Sequence, residues 1–164
     1  SEEQYDLLIR AKTASLLSGA AELGALTAPA PQRHALQRFG EALGMAFQIV
    51  DDLLDYTADA AALGKPSGSD LREHKVTLPL IHALPRMDDP ERRAVSALLR
   101  SAEPSDGQIA EVIGAVARTG GLEYARERAQ RLGQQADAEL DGVPPSPARD
   151  ALRASITYVL DRRS

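Results

Sequence analysis

The chain has 164 residues, a formal net charge of −5 at pH 7 and no cysteine. With 43% hydrophobic and 26% charged residues, it has the composition of a globular protein with a buried core. Its acidic balance and its 4% aromatic residues argue against binding to nucleic acid, which favours a basic surface and stacking side chains.

The absence of cysteine excludes disulfides and thiol catalysis. It is typical of proteins in a reducing compartment, so we expect a cytoplasmic protein. No apolar run reaches the roughly 20 residues that span a bilayer, and we therefore expect no stable insertion into a membrane.

Strong helix formers dominate the chain, and its apolar residues recur with helical spacing. The predicted helices are, in chain order, 5–27, 32–57, about 71–84, 90–101, 107–118, about 121–140 and about 147–162. A loop is predicted from Ala58 to about Asp70, and Ser146 is the predicted N-cap of the last helix. No alternating pattern of β-branched residues occurs, so the predicted fold class is all-α, without a clear domain boundary.

An aspartate-rich stretch is the most informative part of the sequence. At about 100° per residue, Gln48, Asp51, Asp52 and Asp55 share one arc of the second predicted helix. The apolar residues on the opposite side are Phe47, Val50 and Leu54. The helix is therefore expected to present three carboxylates on one patch while its other side faces a core.

Such a patch has two interpretations. An ordinary solvated acidic face is one of them, since like charges three or four residues apart destabilise a helix only slightly. Here, however, the acids are embedded in an apolar segment and are followed by a loop that carries a lysine. Oxygen ligands of this kind suit Mg²⁺, whose coordination is usually completed by water and phosphate oxygens. The sequence therefore predicts a site for a metal-bound phosphate or diphosphate.

The lysines of the chain are few and distinctively placed. Arginine outnumbers lysine 16 to 3, so the chain mostly uses arginine where it needs a cation. The three lysines are Lys12, Lys65 and Lys75, and all lie in the first half of the chain. A compact ammonium group is a natural partner for a diphosphate. Chance in a lysine-poor sequence is the alternative explanation.

These residues together resemble a known family, the trans-isoprenyl diphosphate synthases. The segments that carry the resemblance are 12–14, 44–56, 63–71 and 75–81. They are similar, in order and spacing, to the second aspartate-rich region of that family and its flanks. The greatest similarity is to the long-chain, octaprenyl-type synthases that make quinone side chains.

The resemblance implies an isoprenoid synthase-type helical bundle around a deep cavity, and an active homodimer. It implies a Mg²⁺-dependent prenyltransferase that joins isopentenyl diphosphate to an allylic diphosphate to give a long-chain all-trans product. It also implies residue roles: metal binding by Asp51, Asp52 and Asp55; contact with the diphosphate by Lys12, Lys65 and Lys75; and cavity-wall positions near the developing allylic cation for Thr13 and Gln48. Lys12, Thr13, Gln48 and Lys65 are the expected catalytic residues.

The sequence departs from the family pattern in two ways. Residues 1–164 match only the C-terminal half of a family member, and nothing in residues 1–11 can serve as the first aspartate-rich motif. We therefore expect half of an active site, completed by a longer chain or an assembly. The second departure is His74, which stands where a small residue, commonly glycine, is expected.

Three other functions are weighed against the synthase. A non-catalytic subunit or inactive fragment would not need to keep the paired acids and all three lysines. A terpene cyclase-type enzyme, which also uses aspartate-rich helices, would be expected to have more aromatic residues around its cations. A helical bundle without activity is the remaining alternative.

Overall fold

The computed structural model describes residues 1–57 and 68–162, and every regular element within those ranges is helical. The all-α prediction is therefore confirmed. The helices are α1 Glu2–Ile9, α2 Ser15–Gly24, α3 Ala30–Thr57, α4 Ser69–Arg72, α5 Leu78–Ala83, α6 Asp89–Arg100, α7 Asp106–Arg118, α8 Gly121–Glu139 and α9 Pro147–Asp161. A π-helical turn, Arg10–Ala14, joins α1 to α2, and short 3₁₀ turns follow α5 and α8. Within the described ranges, no helix has both the length and the apolar character needed to cross a bilayer.

Most predicted helices are confirmed with small shifts at their ends, and one is wrong. The helix predicted at 71–84 is two helices, α4 and α5, separated by an irregular segment. Two local features explain the break. His74 has a left-handed backbone with φ of 57°, which ends α4. Thr77 is extended and is followed by a proline in the first turn of α5. Most of the predicted loop, 58–67, lies outside the described residues.

The helices form two compact units, and α3 runs through both. Unit 1 comprises Ser1–Glu2 and Asp51–Arg126 among the described residues. Its buried core is aliphatic with one tyrosine and consists of Tyr56, Leu71, Leu80, Ala83, Met87, Val95, Leu98, Ile109, Val112, Ala115 and Val116. The helices α6 and α7 each begin with a capping box, Asp88 with Glu91 and Ser105 with Gln108.

Unit 2 comprises Glu3–Val50 and Glu127–Arg162. Its buried core residues are Phe39, Leu43, Ala46, Ala136, Leu140, Ile156 and Val159. The predicted N-cap of the last helix is confirmed, since the Ser146 side chain accepts a hydrogen bond from the Arg149 N–H at 3.2 Å. Ion pairs between helices add to the packing, among them Arg38 with Glu139 at 2.7 Å.

Candidate active site

The first group of predicted site residues lies in unit 2, at the π-helical turn. In this turn the Ser15 N–H donates to the carbonyl of Arg10, five residues earlier, instead of to the residue four earlier. Such π turns are rare and are often found at functional sites. Lys12 is exposed within it and Thr13 is half-buried, whereas Ala14 faces the core. The turn thus carries two of the residues predicted to be catalytic.

A close contact between backbones brings this turn against α3. A Cβ added to Gly44 would lie 2.6 Å from the Cα of Ala14, and one added to Gly40 would lie 2.5 Å from the carbonyl oxygen of Leu17. Real side chains cannot occupy either position without a shift of the neighbouring helix. The two glycines, one turn apart on α3, therefore permit the approach of the π turn and α2.

This approach places Thr13 beside Gln48. The Thr13 hydroxyl donates to Gln48 Oε1 at 2.7 Å, and the Gln48 side chain is only 5% exposed. A polar side chain buried in an apolar setting needs hydrogen-bond partners, and Thr13 provides one. The structure thus brings together the two predicted cavity-wall residues, although their roles stay predictions.

The second group lies in unit 1, at the end of α3 and in the segment that follows the undescribed residues. Asp51 is exposed, Asp52 is 7% exposed and Asp55 is half-buried. Within residues 1–57 and 68–162, no three histidine or carboxylate side chains converge into a ready-made metal cluster. The three predicted metal ligands are therefore not equivalent in their surroundings.

Asp55 is engaged by the backbone of the next helix. Its Oδ1 accepts the Ser69 N–H at 2.9 Å and its Oδ2 accepts the Asp70 N–H at 3.0 Å. The Asp55 carbonyl also accepts the Gly68 N–H at 2.8 Å. Burial raises the pKa of the Asp55 carboxyl, and the hydrogen bond from the Asp70 amide opposes that rise.

Lys75 lies in the same segment, next to two carboxylates. Its Nζ donates to Glu73 at 2.7 Å and to Asp70 Oδ1 at 3.1 Å, and its N–H donates to the Asp70 carbonyl at 2.8 Å. The hydrogen bonds to Glu73 and Asp70 raise the pKa of Lys75 well above its usual value, so the group is a cation. The third predicted lysine, Lys65, lies outside the described residues.

Sequence reasoning missed two residues that shape this region, Tyr56 and Thr77. Tyr56 and Thr77 are buried and hydrogen-bonded to each other at 3.2 Å, and burial raises the pKa of the Tyr56 hydroxyl. The His74 ring nitrogen Nε2 lies 2.8 Å from the Ser101 carbonyl oxygen. The sequence had already marked His74 as standing where glycine is expected, and its left-handed backbone just after the end of α4 explains that expectation.

The donor set fits a hard divalent cation. Mg²⁺ is usually held by one or two carboxylates and is completed by substrate phosphates, not by a cage made only of protein ligands. Asp51 and Asp52, adjacent on α3, supply carboxylates of that kind.

Comparison with known proteins assigns these residues to a family. A model of the family Polyprenyl synthetase matches residues 1–116. The chain belongs to the polyprenyl synthetase family. Octaprenyl diphosphate synthase of Escherichia coli is 41% identical over 157 residues, which are 93% of this chain and 47% of that protein. Heptaprenyl diphosphate synthase component 2 of Geobacillus stearothermophilus is 40% identical over 153 residues, 92% of this chain and 47% of its own length.

The fold of this polyprenyl synthetase chain is also found among solved structures. The polyprenyl synthase from Caulobacter crescentus CB15, complexed with calcium and isoprenyl diphosphate, superposes with a TM-score of 0.92 at 32% identity. The match covers 100% of this chain and 51% of that one. The isoprenoid synthase-type helical fold predicted from the resemblance is thus confirmed. The chain spans about half the length of the relatives it matches.

Proposed function

We propose that this chain supplies the second aspartate-rich half of the active site of a Mg²⁺-dependent trans-polyprenyl diphosphate synthase. Residues 1–164 would correspond to the C-terminal half of the synthase domain. The enzyme would join isopentenyl diphosphate to an allylic diphosphate and make a long-chain all-trans product of the type used for quinone side chains. The observation that carries the proposal is the match of residues 1–116 to the polyprenyl synthetase family.

In this proposal the charged residues hold the allylic diphosphate. Asp51 and Asp52 bind the metal, and Lys12, Lys65 and Lys75 contact the diphosphate oxygens. Bound Mg²⁺ supplies positive charge that stabilises the departing pyrophosphate. Lysine ammonium groups that contact the same oxygens would add further positive charge and so stabilise the leaving group in the same way.

Thr13 and Gln48 are assigned to the allylic carbon, from which the diphosphate departs. When the carbon–oxygen bond of the allylic substrate breaks, the electron pair leaves with pyrophosphate and the allylic carbon becomes cationic. Side-chain oxygen dipoles near that carbon stabilise the charge. The double bond of isopentenyl diphosphate then forms the new carbon–carbon bond, and transfer of a proton to the released pyrophosphate restores a double bond. The Thr13–Gln48 hydrogen bond would keep both dipoles in place.

The test of this function is the double variant Asp51→Asn with Asp52→Asn in the complete enzyme. We expect Mg²⁺-dependent turnover to fall by roughly a hundredfold or more, because the carboxylates that hold the metal are lost. Asp161→Asn, on the exposed side of α9, removes a charge elsewhere and should leave turnover unchanged. Turnover of the double variant equal to that of wild type would reject the metal role.

A second substitution tests the assignment of Lys65. Lys65→Ala should raise the KM for the allylic diphosphate more than the KM for isopentenyl diphosphate, because the proposal places the lysine on the allylic substrate. Steady-state kinetics with each substrate varied in turn measure this ratio. A larger effect on isopentenyl diphosphate would assign Lys65 to the other substrate.

We further propose that the active protein is a homodimer. The first two helices and the turn that follows α2 expose several large apolar side chains, with Leu7, Leu8, Leu16, Leu23 and Leu26 each more than half exposed. Contact with a second copy would remove part of this surface from water. Sedimentation of the full-length protein at micromolar concentration should show a dimer, and a strictly monomeric protein would contradict this.

A non-catalytic subunit or an inactive fragment is the second candidate. The intact mass of the purified protein distinguishes the two. A single species near 17.5 kDa without synthase activity would support the second candidate, whereas a larger or additional species with activity would support the enzyme.

A further inference from the structure

Asp55 ends α3 and meets the start of α4, and it has a different environment from the two other aspartates of its motif. We propose that Asp55 is a positioning residue and not a metal ligand: it fixes the segment 68–77 to the end of α3 and so sets the position of Lys75. The inference rests on the function proposed above, in which Lys75 contacts the diphosphate.

The local sequence explains why α4 needs Asp55. The first N–H groups of any helix lack partners within the helix, and an N-cap side chain usually accepts one of them. The N-cap of α4 is Gly68, which has no side chain and a left-handed backbone with φ of 81°. The Asp55 carboxylate replaces the missing cap and accepts both the Ser69 and the Asp70 N–H.

A side chain at Gly68 is excluded by its surroundings. A Cβ added there would collide with Ile109 of α7, and the left-handed backbone would be strained for any residue with a Cβ. An ordinary Ser or Asp cap is therefore not available at this position. The acceptor has to come from another element, and Asp55 provides it.

The residue after Asp55 attaches the other end of the same segment. The Tyr56 hydroxyl is bonded to the Thr77 hydroxyl at 3.2 Å in a buried setting. Between the two attachments, Leu71 is fully buried in the core of unit 1. Two successive residues of α3 thus hold segment 68–77 at both ends.

Lys75 depends on this arrangement through Asp70. Both the backbone N–H and the Nζ of Lys75 donate to Asp70, at 2.8 Å and 3.1 Å. The Asp70 N–H is in turn held by Asp55 Oδ2. Asp55 therefore acts on the position of the Lys75 ammonium through one intermediate residue.

Amide hydrogen exchange without metal or substrate tests the attachment directly. The amides of Ser69 and Asp70 should exchange about tenfold faster in Asp55→Ala than in wild type, with Asp55→Asn between them because an amide oxygen can still accept one bond. Asp88→Asn, which alters the N-cap of α6, is the matched control and should leave these two amides unchanged. Wild-type exchange in Asp55→Ala would overturn the proposal. If Asp55→Ala does not fold, the exchange rates of the Ser69 and Asp70 amides in Asp55→Asn are compared with wild type instead.

Binding of inorganic pyrophosphate in the presence of Mg²⁺ separates positioning from ligation. A positioning role predicts that affinity falls in the order wild type, Asp55→Asn, Asp55→Ala. It also predicts that adding Asp55→Asn to Lys75→Ala causes no further loss, since Asp55 acts through Lys75. Equal loss in the two Asp55 variants, persisting in the Lys75→Ala background, would identify a metal ligand and overturn the proposal. If both Asp55 variants bind pyrophosphate with wild-type affinity, Asp55 is only a structural cap for α4, and this result would also overturn the proposal.

The variant Asp51→Asn shows whether a negative result concerns only the role of Asp55 or the proposed function as a whole. It should weaken Mg²⁺-dependent pyrophosphate binding at least about tenfold while the Ser69 and Asp70 amides exchange at the wild-type rate. If Asp51→Asn leaves binding unchanged, the metal role of the motif fails together with the proposed function. If binding falls with Asp51→Asn but the Asp55 variants show no faster exchange, only the positioning role fails.

Discussion

The two groups of site residues are held in place by different kinds of interaction. At the Thr13–Gln48 pair, backbones packed through Gly40 and Gly44 determine the distance between the side chains. In segment 68–77, hydrogen bonds determine the geometry: backbone N–H groups donate to the Asp55 carboxylate, and Lys75 donates to Asp70. A substitution that changes side-chain volume is needed to disturb the packed contact. Removal of a single donor or acceptor atom is enough to disturb the hydrogen-bonded segment.

This difference suits the chemistry proposed for each group. A cavity-wall dipole that stabilises a cation must be fixed before the reaction, because its benefit comes from being pre-organised. A lysine that meets a diphosphate and its metal must be able to change partners. Lys75 bonds to two carboxylates that substrate oxygens could replace, which agrees with such a role.

The largest expected effect is on the packed contact. Gly44→Ala should lower the free energy of unfolding by about 3 kcal/mol, because the added methyl group overlaps the backbone of Ala14. Urea denaturation measures the change. Gly19→Ala in α2 is the matched control, since a Cβ at Gly19 has no neighbour within 4 Å, and it should stabilise the protein by roughly 0.5–1 kcal/mol. Equal effects of the two substitutions would show that the contact is not tight.

The next largest effect is expected at the buried hydroxyl pair. Tyr56→Phe and Thr77→Val should each cost about 1–2 kcal/mol, because each leaves one buried hydroxyl without its partner. The double variant should cost less than the sum of the two, with a coupling of about 1 kcal/mol. Chemical denaturation of the four proteins completes the cycle, and strict additivity would contradict the hydrogen bond.

A smaller effect is expected at His74. His74→Gly relieves the left-handed backbone but loses the ring contact with Ser101, so the net change should be within about 0.5 kcal/mol. His74→Ala keeps the strain and loses the contact, and it should be less stable than His74→Gly by about 1 kcal/mol. Thermal unfolding of both variants measures the difference. An alanine variant as stable as the glycine variant would indicate an unstrained backbone.

The smallest effect concerns pH. His82 stacks on Tyr124 in unit 1, with ring centroids 3.8 Å apart, and burial, followed by the charge of Arg86, lowers the pKa of its imidazole. The folded state therefore binds this proton less readily than the unfolded state. Stability from His82 is complete above the ordinary pKa of 6.5 and is lost as the pH falls through the lowered folded value. Thermal unfolding at several pH values should show a smaller acid loss for His82→Phe, and equal losses would contradict this.

The sequence predicted local features well and long-range ones poorly. The helices α6 to α9 and the Ser146 cap were predictable because caps and apolar spacing are local signals. The π turn was not, since Arg10–Ala14 continues the helical pattern of its neighbours. The break between α4 and α5 was missed because apolar residues keep their spacing across it, although the unusual His74 marks it.

For the site, the sequence indicated candidate residues, whose roles stay predictions, but not the contacts that hold them. Residue types and helical spacing indicated the aspartates and lysines, and the family resemblance added Thr13 and Gln48. The cap that Asp55 provides for α4 could not be derived, because it joins residues that are 14 and 15 positions apart in the chain. The close approach at Gly44 likewise depends on the packing of two helices, and a glycine in a sequence does not show which neighbour it meets.

Binding of a non-reactive allylic diphosphate analogue to the protein, measured by calorimetry with and without Mg²⁺, is the most direct test of the proposed function. We predict binding that requires Mg²⁺ and is lost in the Asp51→Asn, Asp52→Asn double variant, because the metal joins these carboxylates to the diphosphate. Binding that is equally strong without Mg²⁺, or unchanged in the double variant, would contradict the assignment of this chain to the diphosphate-binding half of a polyprenyl synthase.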